Sequence, residues 1–394
     1  MGLTSSVPRA LIQYNCIPHY RARIFELLSE CKEVHFTIVA DSEPDTPYLE
    51  VVDNSGDRKI RRIQAKIRTI KLPFMSHLYW QPDVLFLARE LRPDVVISLG
   101  SPYSLTAWVL CIFGRIFHVP VILWGHGILS EERGPKWWLR NALYRLARGH
   151  LLYGDHAKQL LVKEGFEARN LHVVYNSLDY DLQQEVDESI DDGVRRAWRE
   201  SLGVNPGEGL VVFTGRLQPV KRLDLLIEAI SLIARKGKKV HVALIGEGTE
   251  KENLLTLSKK LGVSDIVHFL GPSYDERYLG VALSSCDLSV IPSGAGLSIM
   301  HAMTFGTPVL IHDRVERHFP EWEAVKEGST GYYYKYNNVV DMAEKIHYAV
   351  FCVQEREKIS HECKRIIRER YNPHYQLRLF VQAVKMSLKA SRDV

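Results

Sequence analysis

Short apolar runs alternate with amphipathic segments along almost the whole chain. ALIQYN is an apolar run, and YRARIFELLSE after it carries apolar positions at helical spacing. EVHFTIVA predicts a strand, QPDVLFLARELRP an amphipathic helix, and DVVISLG the next strand. SPYSLTAWVLCIFGRIF predicts a helix and VPVILWGHG a strand ending on a glycine turn, while GHLLYGD and NLHVVYN complete the first half. Residues 183–208 are charged and end in turn residues, which predicts one surface helix at a domain junction. The alternation then restarts with LVVFTGR, RLDLLIEAISLIARKG, KVHVALIGEG, TEKENLLTLSKKLG, IVHFLG, RYLGVALSSC, DLSVIPS and TPVLIH. Strands alternating with helices in both halves predict an α/β fold, with parallel sheets covered on both faces.

Composition narrows the class without naming a function. The 394 residues are 46% hydrophobic and 25% charged, the balance of a soluble globular protein, and the length allows about two or three domains. A net charge of +4 is too weak to argue for nucleic acid, and no nucleic-acid motif accompanies it. The six cysteines (Cys16, Cys31, Cys111, Cys286, Cys352, Cys363) are spread singly with no C-x-x-C pair, so neither a zinc site nor a redox pair is expected. Buried single thiols fit a reducing, cytoplasmic compartment. The N-terminus has no long apolar run, so no secretory signal is expected; it does fit the short M-G-x-x-x-S myristoylation pattern through Gly2 and Ser6. The most apolar run, residues 104–123, is interrupted by Gly114, Arg115, His118 and Pro120 and reads as a buried helix followed by a strand, not a membrane span.

Candidate chemistry concentrates where strands end in glycine-bearing turns. FTGRLQPVKRLD places Gly215, Arg216 and Lys221 between a strand and a helix, where a forked guanidinium and a point-charge ammonium can converge on one polyanion. A solvated pair at a helix start is the plainer alternative. LIGEG is a second such turn. IPSGAGLSIMHAMTFGTPVL is a third, with Gly294 and Gly296 opening a helix.

Together, G-R-L-x-P-x-K-R, IGEG, F-L-G and P-S-G-x-G-L-x-x-x-x-A-M-x-x-G-x-P-V resemble the donor domain of the retaining GT-B glycosyltransferases of family 4, the group 1 enzymes. The resemblance is strong over about 205–345 and only general in the first half. It implies two Rossmann-like domains facing across a cleft: 1–182 on the acceptor side, with a final helix at about 374–394 packing back on it, and 183–373 for the nucleotide sugar. It implies that Arg216 and Lys221 hold the donor diphosphate, that Gly215, Gly294, Gly296 and Leu297 line it, and that the backbone from His268 to Leu270 meets the base. His126 in WGHG would line the donor-sugar pocket or shuttle a proton, and Asn176 and Asp179 would form the interdomain turn.

The chain departs from the family at the third turn and near the N-terminus. An E-x7-E pattern usually supplies a carboxylate to the donor sugar and a second to the ribose, and here those positions are Ser293 and His301. His301 can accept from a ribose hydroxyl, or it is a core histidine; Asp313, Glu321 and Glu323 are candidates for the missing charge. His19, Tyr20 and Arg21 replace the usual glycine-rich loop and are assigned to the acceptor, a helix cap being the alternative. Residues 132–150 pair Trp137 and Trp138 with Lys136, Arg140, Arg145 and Arg148, and 58–71 is a second basic stretch. Such helices suit an anionic membrane surface, at the inner face of the membrane, unless the tryptophans belong to the core.

The expected activity is retaining transfer of a sugar from a UDP- or GDP-sugar to a glycan or lipid-linked glycan hydroxyl, with no cofactor and no metal. The alternatives are a nucleotide-sugar epimerase or hydrolase, and a catalytically weak subunit supporting a partner, which the loss of both carboxylates favours.

Overall fold

The computed structural model describes residues 7–43, 51–52, 60–71 and 77–392. The myristoylation pattern and the first two residues of the 58–71 stretch lie outside these. The chain divides into two compact units, one formed by Met1–Asp179 with Asn372–Val394 and the other by Tyr180–Tyr371.

The first unit holds β1 (Arg9–Cys16), β2 (His35–Asp41), β3 (Arg62–Gln64), the antiparallel pair β4 (Arg68–Ile70) and β5 (Leu78–Trp80), then β6 (Val95–Leu99), β7 (Val121–Gly125), β8 (Gly149–Leu152) and β9 (Leu171–Val173). Its helices are α1 (Ala22–Glu30), α2 (Asp83–Leu91), α3 (Leu105–Phe117), α4 (Pro135–Leu146), α5 (Asp155–Lys163) and, from the far end of the chain, α14 (Pro373–Arg392). The second unit holds α6 (Tyr180–Glu188), α7 (Asp192–Ser201), β10 (Gly209–Thr214), α8 (Leu223–Arg235), β11 (Val240–Ile245), α9 (Lys251–Lys260) and β12 (Val267–Gly271). It continues through α10 (Glu276–Ser284), β13 (Leu288–Val290), α11 (Leu297–Thr304), β14 (Val309–His312), β15 (Gly331–Tyr334), α12 (Val339–His347) and α13 (Arg356–Arg370).

Each unit is built on one parallel sheet. The orders are β3-β2-β1-β6-β7-β8-β9 in the first and β12-β11-β10-β13-β14-β15 in the second. The central strands are mostly apolar because helices cover both faces; every residue of β11 is buried, His241 included. The winding reverses beside β1 in one sheet and beside β10 in the other. At such a reversal two neighbouring loops leave in opposite directions and open a crevice at the strands' carboxyl ends. In the second unit those loops follow β10 and β13, and they carry Arg216, Lys221 and the Ser293–Leu297 turn.

The final helix packs on the first unit. Phe380, Val381 and Val384 join the core around Trp124 and Phe25, and buried Gln376 donates to the Tyr175 carbonyl and accepts from Ser177 Oγ, both at 2.7 Å. The junction segment differs from the single helix its charge pattern predicts. It forms α6 and α7, broken at 189–191, where the Asp191 carboxylate caps α7 by accepting from Val194 N at 2.9 Å. The basic 58–71 stretch supplies edge strand β3, paired with β2, and the start of the small antiparallel pair.

Candidate functional site

The turn after β10 is locked to the turn after β11. Leu217 N donates to the Glu247 carbonyl at 2.9 Å and Glu250 N to the Leu217 carbonyl at 3.0 Å. Only glycine permits this approach: a Cβ on Gly246 would stand 1.9 Å from the Gly215 carbonyl oxygen, and one on Gly248 2.2 Å from that of Leu217. Arg216 is left exposed at the rim, beside Gly215. The chain then makes a short 3-10 turn, Pro219–Lys221, that carries Lys221 back toward the loop after β13.

There the Lys221 ammonium donates to the Gly294 carbonyl at 2.6 Å. Burial first, and Arg216 second, lower the Lys221 pKa, so the half-buried ammonium stands in a positive environment that an anion would relieve. Gly294 has φ +60°, the left-handed region, and turns the loop into α11. Gly296 precedes the helix, and the N–H groups of Leu297 and Ser298 begin the first turn, where a helix offers donors without internal partners, while Ile299 N already donates to the Gly296 carbonyl at 2.9 Å. Arg216, Lys221, Gly294, Gly296 and Leu297 therefore all lie on the two loops flanking the sheet's reversal. Ser293 is half-buried on the same loop.

The third loop is held in shape by residues with no motif of their own. His318 Nδ1 accepts from Ala295 N at 3.1 Å, and its Nε2 donates to the His312 carbonyl at 3.1 Å. Phe319 N donates to the Ala295 carbonyl at 2.8 Å, and Tyr334 Oη donates to the Pro292 carbonyl at 2.6 Å. His312 and His318 stack with ring centroids 3.9 Å apart. Burial pushes the pKa of His312 down to about 4 and of His318 to about 3, so both are neutral at physiological pH and His318 keeps its acceptor nitrogen. The sequence reading passes over His318, because an isolated histidine between a strand and a 3-10 turn carries no spacing signal.

His301 sits on the second turn of α11, with its Nε2 2.7 Å from Glu276 Oε1 at the start of α10. It is not a sealed core residue: its side chain is 15% exposed and that of Glu276 20%. Glu276 is the second residue that the sequence reading misses. Of the acidic candidates, Asp313 accepts from Tyr336 N at 3.0 Å, while buried Glu321 and half-buried Glu323 lie on the 3-10 turn Pro320–Ala324 beside α11. Leu270 is half-buried near the carboxyl end of edge strand β12; two residues earlier, His268 hydrogen-bonds His241, which in turn bonds Glu208.

In the first unit, His19, Tyr20 and Arg21 form the 3-10 turn after β1. Arg21 is 6% exposed, with its guanidinium donating to Tyr14 Oη at 2.6 Å and Tyr153 Oη at 2.9 Å and lying 5.0 Å from the Trp124 ring. An aromatic cage surrounds it instead of a carboxylate. His19 and Tyr20 remain half-buried. His126 follows β7 with its ring 5.0 Å from that of Tyr153. Desolvation, then Arg21 and Arg140, push the pKa of this surface histidine down to about 4, so its ring is neutral at physiological pH. Asn176 is buried, and its Oδ1 accepts from Ser177 N at 3.1 Å. Among the described residues, no three His, Cys, Asp or Glu side chains gather as metal ligands do, and no helix is long and apolar enough to cross a membrane.

Helix α4 separates the two tryptophans of the basic segment. Trp137 packs partly against the core, whereas Trp138 is 73% exposed. Arg140 is tied down by Glu132 at 2.9 Å and by the Gly127 carbonyl at 2.8 Å.

Comparison with known proteins agrees with this architecture. A family model described as glycosyl transferases group 1 matches residues 194–365, and one described as glycosyltransferase family 4 matches 24–182. A D-inositol 3-phosphate glycosyltransferase of Nocardia farcinica (strain IFM 10152) is 32% identical over 202 residues, covering 49% of this chain and 42% of that protein. The enzyme of the same name from Mycobacterium sp. (strain KMS) is 32% identical over 247 residues, 57% of this chain and 54% of its own. The chain thus spans about half the length of these curated relatives. Among solved structures, Anabaena Alr3699/HepE in complex with UDP superimposes with a TM-score of 0.72 at 18% identity, covering 96% of this chain and 99% of that one. A glycosyltransferase from Rickettsia africae ESF-5 gives 0.71 at 14% identity, covering 98% and 99%. With both halves of the chain matched in order and the fold shared over nearly its whole length, the chain belongs to the GT-B glycosyltransferases of the group 1, family 4-like type.

Proposed function

We propose that the protein transfers a sugar, with retention of anomeric configuration, from a UDP- or GDP-sugar to a hydroxyl of a glycan or lipid-linked glycan. The observation that carries this reading is the Lys221–Gly294 contact, which joins the loops after β10 and β13 and sets an ammonium next to the first turn of α11, with Arg216 on the same rim. A sugar diphosphate is the matching ligand. Its leaving group gains negative charge as the anomeric bond breaks, and fixed cations and N–H dipoles stabilise that charge without reorganising. Arg216 and Lys221 take the diphosphate oxygens, and the Leu297 N–H side of the helix orients them. The departing phosphate takes the proton of the acceptor hydroxyl. His126, neutral at physiological pH, is suited to hydrogen-bond a sugar hydroxyl. Cationic side chains neutralise the leaving group in this scheme, and no metal is invoked. Related names support the class: Alr3699/HepE has been crystallised with UDP and with UDP-glucose. The test is calorimetric titration with UDP and GDP, followed by turnover of UDP- or GDP-sugars with candidate acceptors. Binding of neither nucleotide refutes the reading.

A second observation favours attachment to the inner face of an anionic membrane through the first unit. Trp138 and Leu139 on α4, Ile112, Ile116 and Phe117 on α3, and Phe86 on α2 are all large, apolar and exposed. Arg89 lies over the Phe117 ring at 5.9 Å, so charge borders the apolar surface as it does on interfacial helices. Co-sedimentation with phosphatidylglycerol-containing vesicles should fall in a Trp138→Ser/Ile116→Ser variant, and equal sedimentation would refute it.

A further inference from the structure

The amino ends of β8 and β9 meet the final helix around a hollow that the sugar-transfer reading does not use. It lies at the opposite edge of the first sheet from the turns after β1 and β7 that carry Arg21 and His126. Gly149 opens β8, and a Cβ there would stand 2.9 Å from the Asn170 carbonyl oxygen, so the two strand ends are pressed together. Arg148, just before Gly149, is fixed by its backbone N, which donates to the Val121 carbonyl at 2.8 Å. His172 pairs in register with Leu151, which packs in the core that α14 joins, so the imidazole lies on the α14 side of the sheet. Arg148, Arg169, Asn170, His172, Met386 and Ser387 line the hollow, whose volume of about 340 Å³ suits a small ligand.

Its chemistry is that of an anion site. Arg169 Nε and Asn170 Nδ2 already converge on one carboxylate oxygen, Glu167 Oε2, at 2.9 and 3.1 Å. The Arg169 and Glu167 side chains are 78% and 59% exposed, and solvent screens such a pair to little net energy. A stronger anion therefore displaces Glu167 at little cost. Arg148 adds a second guanidinium, and His172 another donor once protonated. The titratable neighbours of His172 are Lys158 on α5 and buried His150 on β8; burial first, and Lys158 second, hold the His172 pKa below the ordinary histidine value. Beyond Met386, Arg378, Lys385 and Lys389 line a second hollow whose carboxylate is Glu33, accepting from Lys385 at 2.6 Å. The positive surface thus continues along α14.

We propose that the hollow at the amino ends of β8 and β9 is a phosphate site, in which Arg148 and Arg169 fork onto the phosphate oxygens and His172 donates to another. A phosphate offers more acceptors and more charge than the Glu167 carboxylate, which matches two guanidinium groups and a titratable ring. The site stands independently of the donor reading, since all of its residues belong to the first unit. The phosphate group belongs either to a soluble ester or to a lipid headgroup.

The experiment follows the His172 ring by proton NMR in the full chain, its signal assigned by its loss in His172→Gln. Inorganic phosphate, against chloride at equal ionic strength, should raise the His172 pKa by about one pH unit, a tenfold preference of phosphate for the protonated ring. The reporter is local, so phosphate held at Arg216 and Lys221 does not imitate the response. Arg169→Glu, a change at an exposed position, should abolish it. A His172 pKa that phosphate leaves unmoved overturns the proposal, and so does a response that survives Arg169→Glu. Vesicles containing phosphatidic acid then separate the two sources. Co-sedimentation that falls in Arg169→Glu identifies a lipid headgroup, and co-sedimentation unchanged by that variant identifies a soluble ester.

Discussion

Replacing Lys221 by methionine isolates the charge in the proposed diphosphate site while keeping most of the side chain's bulk. In the free protein the ammonium is held by one carbonyl, that of Gly294 at 2.6 Å, and no carboxylate accepts from it among the described residues. Burial and Arg216 lower its pKa, so the folded state resists charging this group relative to the unfolded chain. The folded protein therefore binds fewer protons than the unfolded one between the lowered pKa and the ordinary lysine value. Stability rises with pH across that window, and below it the penalty is fully present. Lys221→Met removes the penalty, so the variant without ligand should melt at the wild-type temperature or slightly above. Binding should move the other way. Truncating one partner of a desolvated charge pair costs about 2–5 kcal/mol. The half-buried position of Lys221 places it at the lower end, about 2–3 kcal/mol, or roughly a 30- to 150-fold rise in Kd. Isothermal titration with UDP and GDP, beside melting curves with and without nucleotide, reads both quantities. A variant that binds its nucleotide as tightly as the wild type would refute the assignment of Lys221 to the diphosphate. A variant that melts well below the wild type without ligand would show that the lysine serves structure.

Gly246→Ala should destabilise the second unit by about 1–3 kcal/mol in urea melts, because its Cβ would stand 1.9 Å from the Gly215 carbonyl and force the two turns apart. Arg21→Met should raise the His126 pKa above its depressed value of about 4, since it removes one of the two cations that repel the charged imidazole; histidine proton titration by NMR reads the shift. His318 is bound neutral, with a pKa of about 3 against roughly 6.5 unfolded, so the folded state binds fewer protons through that interval and stability falls as pH drops below 6.5. His318→Asn should flatten this fall in melts from pH 7 to 4, and an unchanged slope would count against the clamp on Ala295.

The alternation of apolar runs and amphipathic segments made both parallel sheets legible, because a strand covered on two faces is mostly apolar. The glycine turns were legible as a pattern at strand ends, but the reason for two of them was not: Gly246 and Gly248 stand where a side chain would collide with the Gly215 and Leu217 carbonyls of a distant turn. The segment around 183–208 misled, because charge alone does not reveal that Asp191 caps a second helix. Trp137 and Trp138 look alike in sequence, yet adjacent helical positions point about 100° apart, and the fold packs one partly against the core while exposing the other.

What the sequence determined by itself was the order of elements, the turns that need glycine, and the cations Arg216 and Lys221 on one loop. Each shows in the pattern of a few neighbouring residues, even where its reason, as for Gly246 against the Gly215 carbonyl, lies far along the chain. The tertiary structure decided which distant groups meet: Glu276 with His301, 25 positions apart, His318 with Ala295, 23 apart, and Arg21 with Tyr153, 132 apart. Local sequence carries no signal for such pairs, since their distance is set by how a sheet winds and where its helices cross. Glu276 and His301 illustrate this: nothing near either residue in the sequence foretells that the carboxylate and the imidazole meet at 2.7 Å.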